Sequence, residues 1–253
     1  MVNDSCPVCG FQSGDSFQEK YVWVHKCSNH SCGHLWAIDV DSTHGVMSHD
    51  PESAYRSYCA RNGRLVRFLE RSRYIYPGSS MLDIGSGSGH ILRSISEMIP
   101  NVAITCLEPN EQASSFLVGK GFNVVRALSE LTGTYEFITL IEVIEHVSNP
   151  VSLLKQVRPM LAPHGVLFCT TPCGELRNGS RKTNAYDTPE HVGFFTEHSL
   201  GLALRRAGFE RCDFRRVSQL YPYPSFLHFC VYELIGRFKD ALYGRSHLVC
   251  FAS

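Results

Sequence analysis

A surplus of charge of either sign is missing from this chain: Lys and Arg total 24, and Asp and Glu total 24. A polyanion therefore meets no general electrostatic attraction, which counts against a nucleic-acid partner while leaving room for a local patch. An uninterrupted apolar run near the roughly 18–20 residues of a membrane-spanning helix is also missing. The opening Met1-Val2-Asn3-Asp4-Ser5 has neither the basic stretch nor the apolar stretch of an export leader, so the sequence predicts a cytoplasmic protein. An even cysteine count, the usual mark of a disulfide framework, is absent as well: there are 11, with four in the first 32 residues. What is present is ordinary for a globular protein, 43% apolar and 19% charged over 253 residues. That suffices for one large domain and a small appendage.

The cysteines divide into two kinds. Cys106, Cys169 and Cys250 lie in apolar, strand-like runs, where a free thiol behaves as a small buried hydrophobe. Cys6, Cys9, Cys27 and Cys32 form two knuckles around the β-rich Tyr21-Val22-Trp23-Val24. Four thiolates suit tetrahedral zinc, and two short hairpins clamping one ion make a zinc ribbon over residues 1–38. The second knuckle has four intervening residues where two is the commoner spacing, and His25, His30 and His34 are nearby, so His30 can stand in for one Cys. A redox pair or unrelated thiols are the alternatives. A closed four-ligand site leaves no position for substrate, which assigns it to stability and partner contact.

Residues 39–52 are polar and read as a linker. A helix is expected over 53–74, with a basic stripe of Arg64, Arg67 and Arg71 that is ordinarily a solvated face. Then Met81-Leu82-Asp83-Ile84 runs as an apolar strand into Gly85-Ser86-Gly87-Ser88-Gly89-His90 and an apolar-periodic helix over 91–99. Three alternate glycines allow a sharp turn and let a ligand reach backbone N–H groups, while the helix presents its N-terminus. A dinucleotide turn would read Gly-x-Gly-x-x-Gly; here the third glycine comes one residue early.

Strands are expected over 102–107, 122–126, 135–142 and 166–171, alternating with helices over 112–118 and 150–161. That alternation predicts a Rossmann-like, doubly wound, mostly parallel α/β sheet. Its ligands lie at the carboxyl ends of the strands, where Gly85 to Gly89, Glu108, Glu142 and Thr170-Thr171-Pro172 would gather. Residues 173–195, with Arg177, Arg181 and Lys182, read as a polar loop over that mouth. Thr196 and Ser199 can cap a helix over 200–207. Residues 211–217 and 248–252 are expected to form an antiparallel edge, with an aromatic helical insertion over 219–247 that includes Tyr221, Tyr223, Phe226, Phe229 and Tyr232.

The segment from Met81 to Gly89, with Glu108 about 20 residues on, resembles motifs I and II of class I S-adenosylmethionine-dependent methyltransferases. Ile141-Glu142-Val143-Ile144-Glu145-His146-Val147 resembles their motif IV. Pro189-Glu190-His191, Phe194-Phe195-Thr196 and residues 204–209 resemble the branch that includes ubiquinone-pathway O-methyltransferases and many glycan and natural-product methyltransferases. The resemblance covers roughly residues 55–253, and members of that branch also carry an N-terminal zinc ribbon.

It implies a seven-stranded sheet and S-adenosylmethionine held by Asp83, Gly85, Ser86, Gly87, Gly89, His90, Glu108, Pro109, Ser129, Glu142 and Val143. Glu108 would accept both ribose hydroxyls, and Ser129 stands where relatives place an adenine-binding acid. The reaction would be in-line displacement on the sulfonium methyl, so the protein supplies alignment and removal of a proton. His191, and next His146, are the candidate bases. The expected acceptor is a small-molecule or glycan hydroxyl; nitrogen or carbon acceptors, RNA or protein substrates guided by the ribbon, and a cofactor-binding regulator without turnover are alternatives. The aromatic insertion leaves peripheral membrane contact open.

Overall fold

The structure is a computed structural model that describes residues 5–19, 22–38, 50–53, 55, 69, 72–174, 190–217 and 247–253. Residues 39–49 of the linker expected over 39–52, most of the helix over 53–74, the basic part of the loop over 173–195 and nearly all of the aromatic insertion lie outside those residues.

Three antiparallel strands open the chain: β1 (Ser13–Glu19), β2 (Val22–Cys27) and β3 (Leu35–Ile38). The main sheet begins with β4 (Ser80–Ile84), followed by helix α1 (His90–Met98), β5 (Ala103–Leu107), helix α2 (Glu111–Gly119) and β6 (Asn123–Val125). It continues with β7 (Tyr135–Ile141), helix α3 (Pro150–Val157) and β8 (Leu161–Pro172). The short β9 (Gly193–Phe194), helix α4 (Glu197–Arg206), β10 (Cys212–Val217) and β11 (His247–Ala252) complete the described elements.

The helices start where local chemistry dictates. Asn110 caps α2 by accepting from the Ala113 N–H at 3.0 Å, and Asn149 caps α3, with Pro150 in the first turn, by accepting from Ser152 N–H at 3.1 Å. Thr196 and Ser199 exchange backbone and side-chain bonds at 3.1 and 3.0 Å at the head of α4. Helix α3 stops short of the expected residue 161 because Pro159 cannot donate into the helix, and a 3-10 turn over Arg158–Met160 replaces its last turn.

The seven strands order as β10-β11-β8-β7-β4-β5-β6. Pairing is parallel from β6 through β8, while β11 runs antiparallel to both β8 and β10. Successive residues bury on opposite faces, as a sheet covered on both sides requires. Met81, Phe137, Phe168 and Phe251 meet Ile91, Leu92 and Ile95 of α1 and Leu117 of α2. Leu82, Ile138, Leu167 and Cys250 share the other core with Leu154 of α3 and Leu200 and Leu204 of α4.

That second core also takes in Cys6, Val8, Cys27, Cys32 and Trp36, so the N-terminal unit is seated on the large domain. The join is a sheet: β9 pairs antiparallel with β3, Leu35 opposite Phe194 and Trp36 opposite Gly193, and Ala37 N–H donates to the Val192 carbonyl at 2.9 Å. Phe195 bridges to Cys173 in parallel register and lies 4.7 Å from the His34 ring. His198 hydrogen-bonds the Ser31 carbonyl. The ends of the segment expected as a 173–195 loop are therefore sheet and bridge, because Phe194 and Phe195, 1% and 0% exposed, bury more apolar surface there than a loop would.

Replacing Phe195 with Ala should cost about 3–5 kcal/mol in denaturant unfolding. It should also expose the peptide bonds around residues 35–38 to proteolysis before the main sheet; a loss below about 1 kcal/mol would mean that the join contributes little.

Candidate active site and candidate metal centre

The turn after β4 has its three glycines in the left-handed region, with φ of 74°, 53° and 70° at Gly85, Gly87 and Gly89. A Cβ on Gly85 would lie 2.6 Å from Val143 Cγ2, and one on Gly89 would collide with the Leu117 side chain. The positions thus demand glycine for both conformation and space. Gly85 N–H donates to the Leu107 carbonyl at 2.8 Å, which locks the turn to the end of β5. From that end Glu108, 6% exposed, accepts from Gly87 N–H at 2.7 Å through one oxygen and from Asn110 N–H at 2.8 Å through the other. One buried carboxylate therefore orders two turns at once.

Asp83 is buried beneath them. Its Oδ1 accepts from Thr139 Oγ1 at 2.5 Å, and the Ser86 hydroxyl donates to the Asp83 carbonyl at 2.9 Å. Burial pushes its carboxyl up to about 6, against the pull of Thr139 and Ser86 and with a further push from Glu108. His90 opens α1 with Nδ1 3.0 Å from Ser88 Oγ, and burial lowers it to about 4, so it is neutral at physiological pH. Pro109 is exposed beside Asn110, its carbonyl accepting from Arg126 Nη2 at 3.3 Å, and Ser129 is exposed in the 3-10 turn Leu128–Glu130.

The end of β7 holds a second group. Glu142 has φ 55°, a left-handed conformation that costs a non-glycine residue about 1–3 kcal/mol. Thr170 restrains it, accepting the Glu142 N–H at 3.2 Å and donating its hydroxyl to Glu142 Oε1 at 2.8 Å, while His247 Nε2 lies 3.5 Å from Oε2. Val143 packs on Gly85, so this segment borders the glycine turn directly. Glu145 is 1% exposed, beside the equally buried Thr171 hydroxyl. Burial, then the Glu142 charge, raise its carboxyl well above the usual range, with Thr171 opposing.

His146 Nδ1 is 3.0 Å from the Glu190 carbonyl, which requires the ring to donate there. Its ring stands at 70° to that of buried His191, with 4.8 Å between centroids. Val192 N–H donates to the Glu145 carbonyl at 2.8 Å and fastens the two histidine segments together. The pairing of His146 with His191 across 45 positions was not readable from spacing, nor were Thr139, Thr170 and His247 as partners of the site's carboxylates. Glu145 stands out in the sequence only as the second acid of Glu-x-x-Glu-His after an apolar strand.

In the N-terminal unit the ligand atoms of Cys6, Cys9, Cys27 and Cys32 all lie within 4.8 Å of one another. Cys6 and Cys32 sulfurs are 3.8 Å apart and those of Cys9 and Cys27 3.3 Å, near the roughly 3.8 Å edge of a tetrahedron with 2.3 Å metal–sulfur bonds. The thiols perturb one another: contact with Cys32 pulls Cys6 down to about 5, contact with Cys6 raises Cys32, and burial pushes Cys27 up to about 12. His30 is exposed and outside the cluster; His25 bonds Ser16 Oγ at 2.6 Å, and His34 stacks on Trp36.

Residues 52–212 match the family described as Methyltransferase domain. The chain belongs to that family. Ubiquinone biosynthesis O-methyltransferase of Shewanella pealeana is 26% identical over 137 residues, 51% of this chain and 58% of that protein. (S)-coclaurine N-methyltransferase of Thalictrum flavum subsp. glaucum is 27% identical over 146 residues, 53% of this chain and 38% of that protein. The chain thus spans about half the length of these curated relatives. A SAM dependent methyltransferase from Archaeoglobus fulgidus superposes with TM-score 0.57 at 20% identity, over 79% of this chain and 96% of that one, which establishes a common Rossmann-like fold.

The Asp83 environment has a thermodynamic signature. Its carboxyl holds a proton to about pH 6 in the fold, against about 3.9 for an unperturbed Asp. Its contribution therefore favours folding at low pH and is lost as the pH rises from about 4 through about 6. Unfolding measured across that range should lose part of its downward slope in Asp83→Asn; an unchanged slope would mean that the carboxyl is ionised in its buried site.

Proposed function

We propose that the chain is an S-adenosylmethionine-dependent methyltransferase that transfers a methyl group to a hydroxyl of a small molecule or glycan intermediate. The observation that carries the reading is the glycine turn bound through Glu108 to Gly87 and Asn110, with Val143 packed against Gly85. Family membership and the O-methyltransferase relatives support it.

In this reading the amides of Gly85 to Gly89, with Ser86 and His90, receive the methionine portion of the cofactor. Glu108 holds the ribose hydroxyls, Pro109 and Ser129 border the adenine, and Asp83 organises the turn. Glu142 and Val143 form the wall between cofactor and acceptor. The cofactor brings an activated methyl on a sulfonium. His191, or His146 through Nε2, would take the proton of the acceptor hydroxyl, whose oxygen would bond to the methyl carbon while the C–S electron pair stays on sulfur. Alignment of oxygen, carbon and sulfur is the protein's main contribution.

The cysteine quartet is proposed to hold one structural zinc ion, with all four ligand positions filled by protein. The ion would supply cross-linking of the two knuckles and no chemistry. Because the ribbon shares the core behind α3 and α4, its metal would support the fold on which the site is built.

With labelled methyl donor and a metabolite extract, wild type should yield a labelled small molecule, and Glu108→Ala should bind the cofactor about tenfold or more weakly, through lost ribose bonds together with the released Gly87 and Asn110 turns. Label recovered only in added RNA or protein, or Glu108→Ala binding like wild type, would contradict the assignment. Elemental analysis should find one zinc ion per chain, lost in Cys9→Ser with a fall in unfolding midpoint; an unchanged zinc content would remove the ribbon.

A further inference from the structure

We infer that the N-terminal unit is a positioning element for the two candidate bases: strand β3, acting through Val192, fixes the place of His191 and the ring tautomer of His146. That these rings handle the acceptor proton rests on the methyltransferase reading; that β3 holds them does not.

Val192 is fastened on both sides. Its carbonyl accepts from Ala37 N–H of β3 at 2.9 Å, and its N–H donates to the Glu145 carbonyl at 2.8 Å. One residue thus joins a strand of the N-terminal unit to the turn that carries His146. His191 comes immediately before it, and Glu190 before that. The Glu190 carbonyl receives the His146 Nδ1–H at 3.0 Å, which leaves the lone pair of the neutral ring on Nε2. A backbone run of three residues therefore connects the Ala37 bond to the atom that selects the tautomer.

The segment has little to order it apart from this contact. Strand β9 is two residues long, and its strand partner in the sheet is β3, with Leu35 across from Phe194 and Trp36 across from Gly193. So short a strand does not persist without an opposing ladder. Gly193 lets the chain pass close by, since a Cβ there would lie 3.0 Å from Phe195 Cε2. Phe195 beside the His34 ring and His198 on the Ser31 carbonyl extend the same seam. The cysteine quartet lies at the root of β3, where Cys27 N–H donates to the His34 carbonyl at 2.9 Å.

The glycine turn is held by other bonds. Gly85 N–H goes to the Leu107 carbonyl and Gly87 N–H to Glu108, and neither involves the N-terminal unit. The two halves of the site accordingly have separate supports. Loosening β3 displaces the proton-handling half and spares the half assigned to the methyl donor.

The full chain, carrying nitrogen-labelled histidine, is followed by proton–nitrogen NMR of the rings at mildly alkaline pH, with S-adenosylhomocysteine binding measured by calorimetry on the same samples. In wild type the His146 ring, assigned by the signal missing from His146→Gln, should be the Nδ1–H tautomer. Ala37→Pro removes the N–H that Val192 accepts. It should convert that signal to a mixed or Nε2–H form and speed exchange of the Val192 amide about tenfold or more, with affinity for S-adenosylhomocysteine within about twofold of wild type. Phe251→Ala, a deletion in the core on the α1 side, should lower stability and leave the tautomer as it is. In wild type at sub-denaturing urea, protection of the Ala37 amide and the His146 tautomer should be lost together, ahead of the β4 amides; this arm stands even if Ala37→Pro does not fold. A tautomer kept after the Ala37 bond is lost, in either arm, overturns the inference. So does the same tautomer change in Phe251→Ala, or cofactor-product affinity that falls with the tautomer. Coupled loss in a wild-type chain that binds no S-adenosylhomocysteine leaves the positioning role in place and removes the methyltransferase reading.

Discussion

Gly85 and Val143 approach so closely that a single added carbon would lie 2.6 Å from the valine methyl. Much of the architecture serves that approach. Parallel pairing of β4 with β7 brings the two strand ends side by side, and the left-handed backbone of Gly85 and Glu142 turns both chains away from the sheet at the same level. The consequence is positional: Val143, two residues before Glu145, touches the first glycine of the turn. Moving either backbone outward by a methyl's width would part the two halves of the site.

The carboxylates divide the work by environment. Glu108 is satisfied by two backbone amides and orders the turns around it. Asp83 is buried beneath, bonded to Thr139, and belongs to the foundation. Glu142 is held by Thr170 in a strained conformation. Glu145 is the most deeply buried of the four, and that burial raises its carboxyl well above the usual range. The strained backbone of Glu142 and the raised carboxyl of Glu145 lie within four residues of one strand end.

The glycine turn, the alternating elements and the cysteine quartet could be read from the chain because each depends on local chemistry: backbone freedom, burial period and ligand spacing. Asn110, Asn149 and the Thr196–Ser199 pair announced their helices for the same reason. The union of β3 with β9 could not be read, since it joins Leu35 to Phe194 across the whole domain and two residues carry no periodicity. Nor could the meeting of His146 with His191, which is created by the Val192–Glu145 backbone bond. The early end of α3 was within reach, because Pro159 stands in the sequence. The family match over residues 52–212 accords with the part whose signals are local and leaves the N-terminal unit to its sulfur geometry.

The central claim is that the turn from Gly85 to Gly89 holds S-adenosylmethionine. Isothermal titration of the intact wild-type chain with S-adenosylhomocysteine tests it without knowledge of the acceptor. The account predicts saturable binding of one molecule per chain, with ATP and NAD failing to compete. Absence of binding, or displacement by either of those nucleotides, would contradict it.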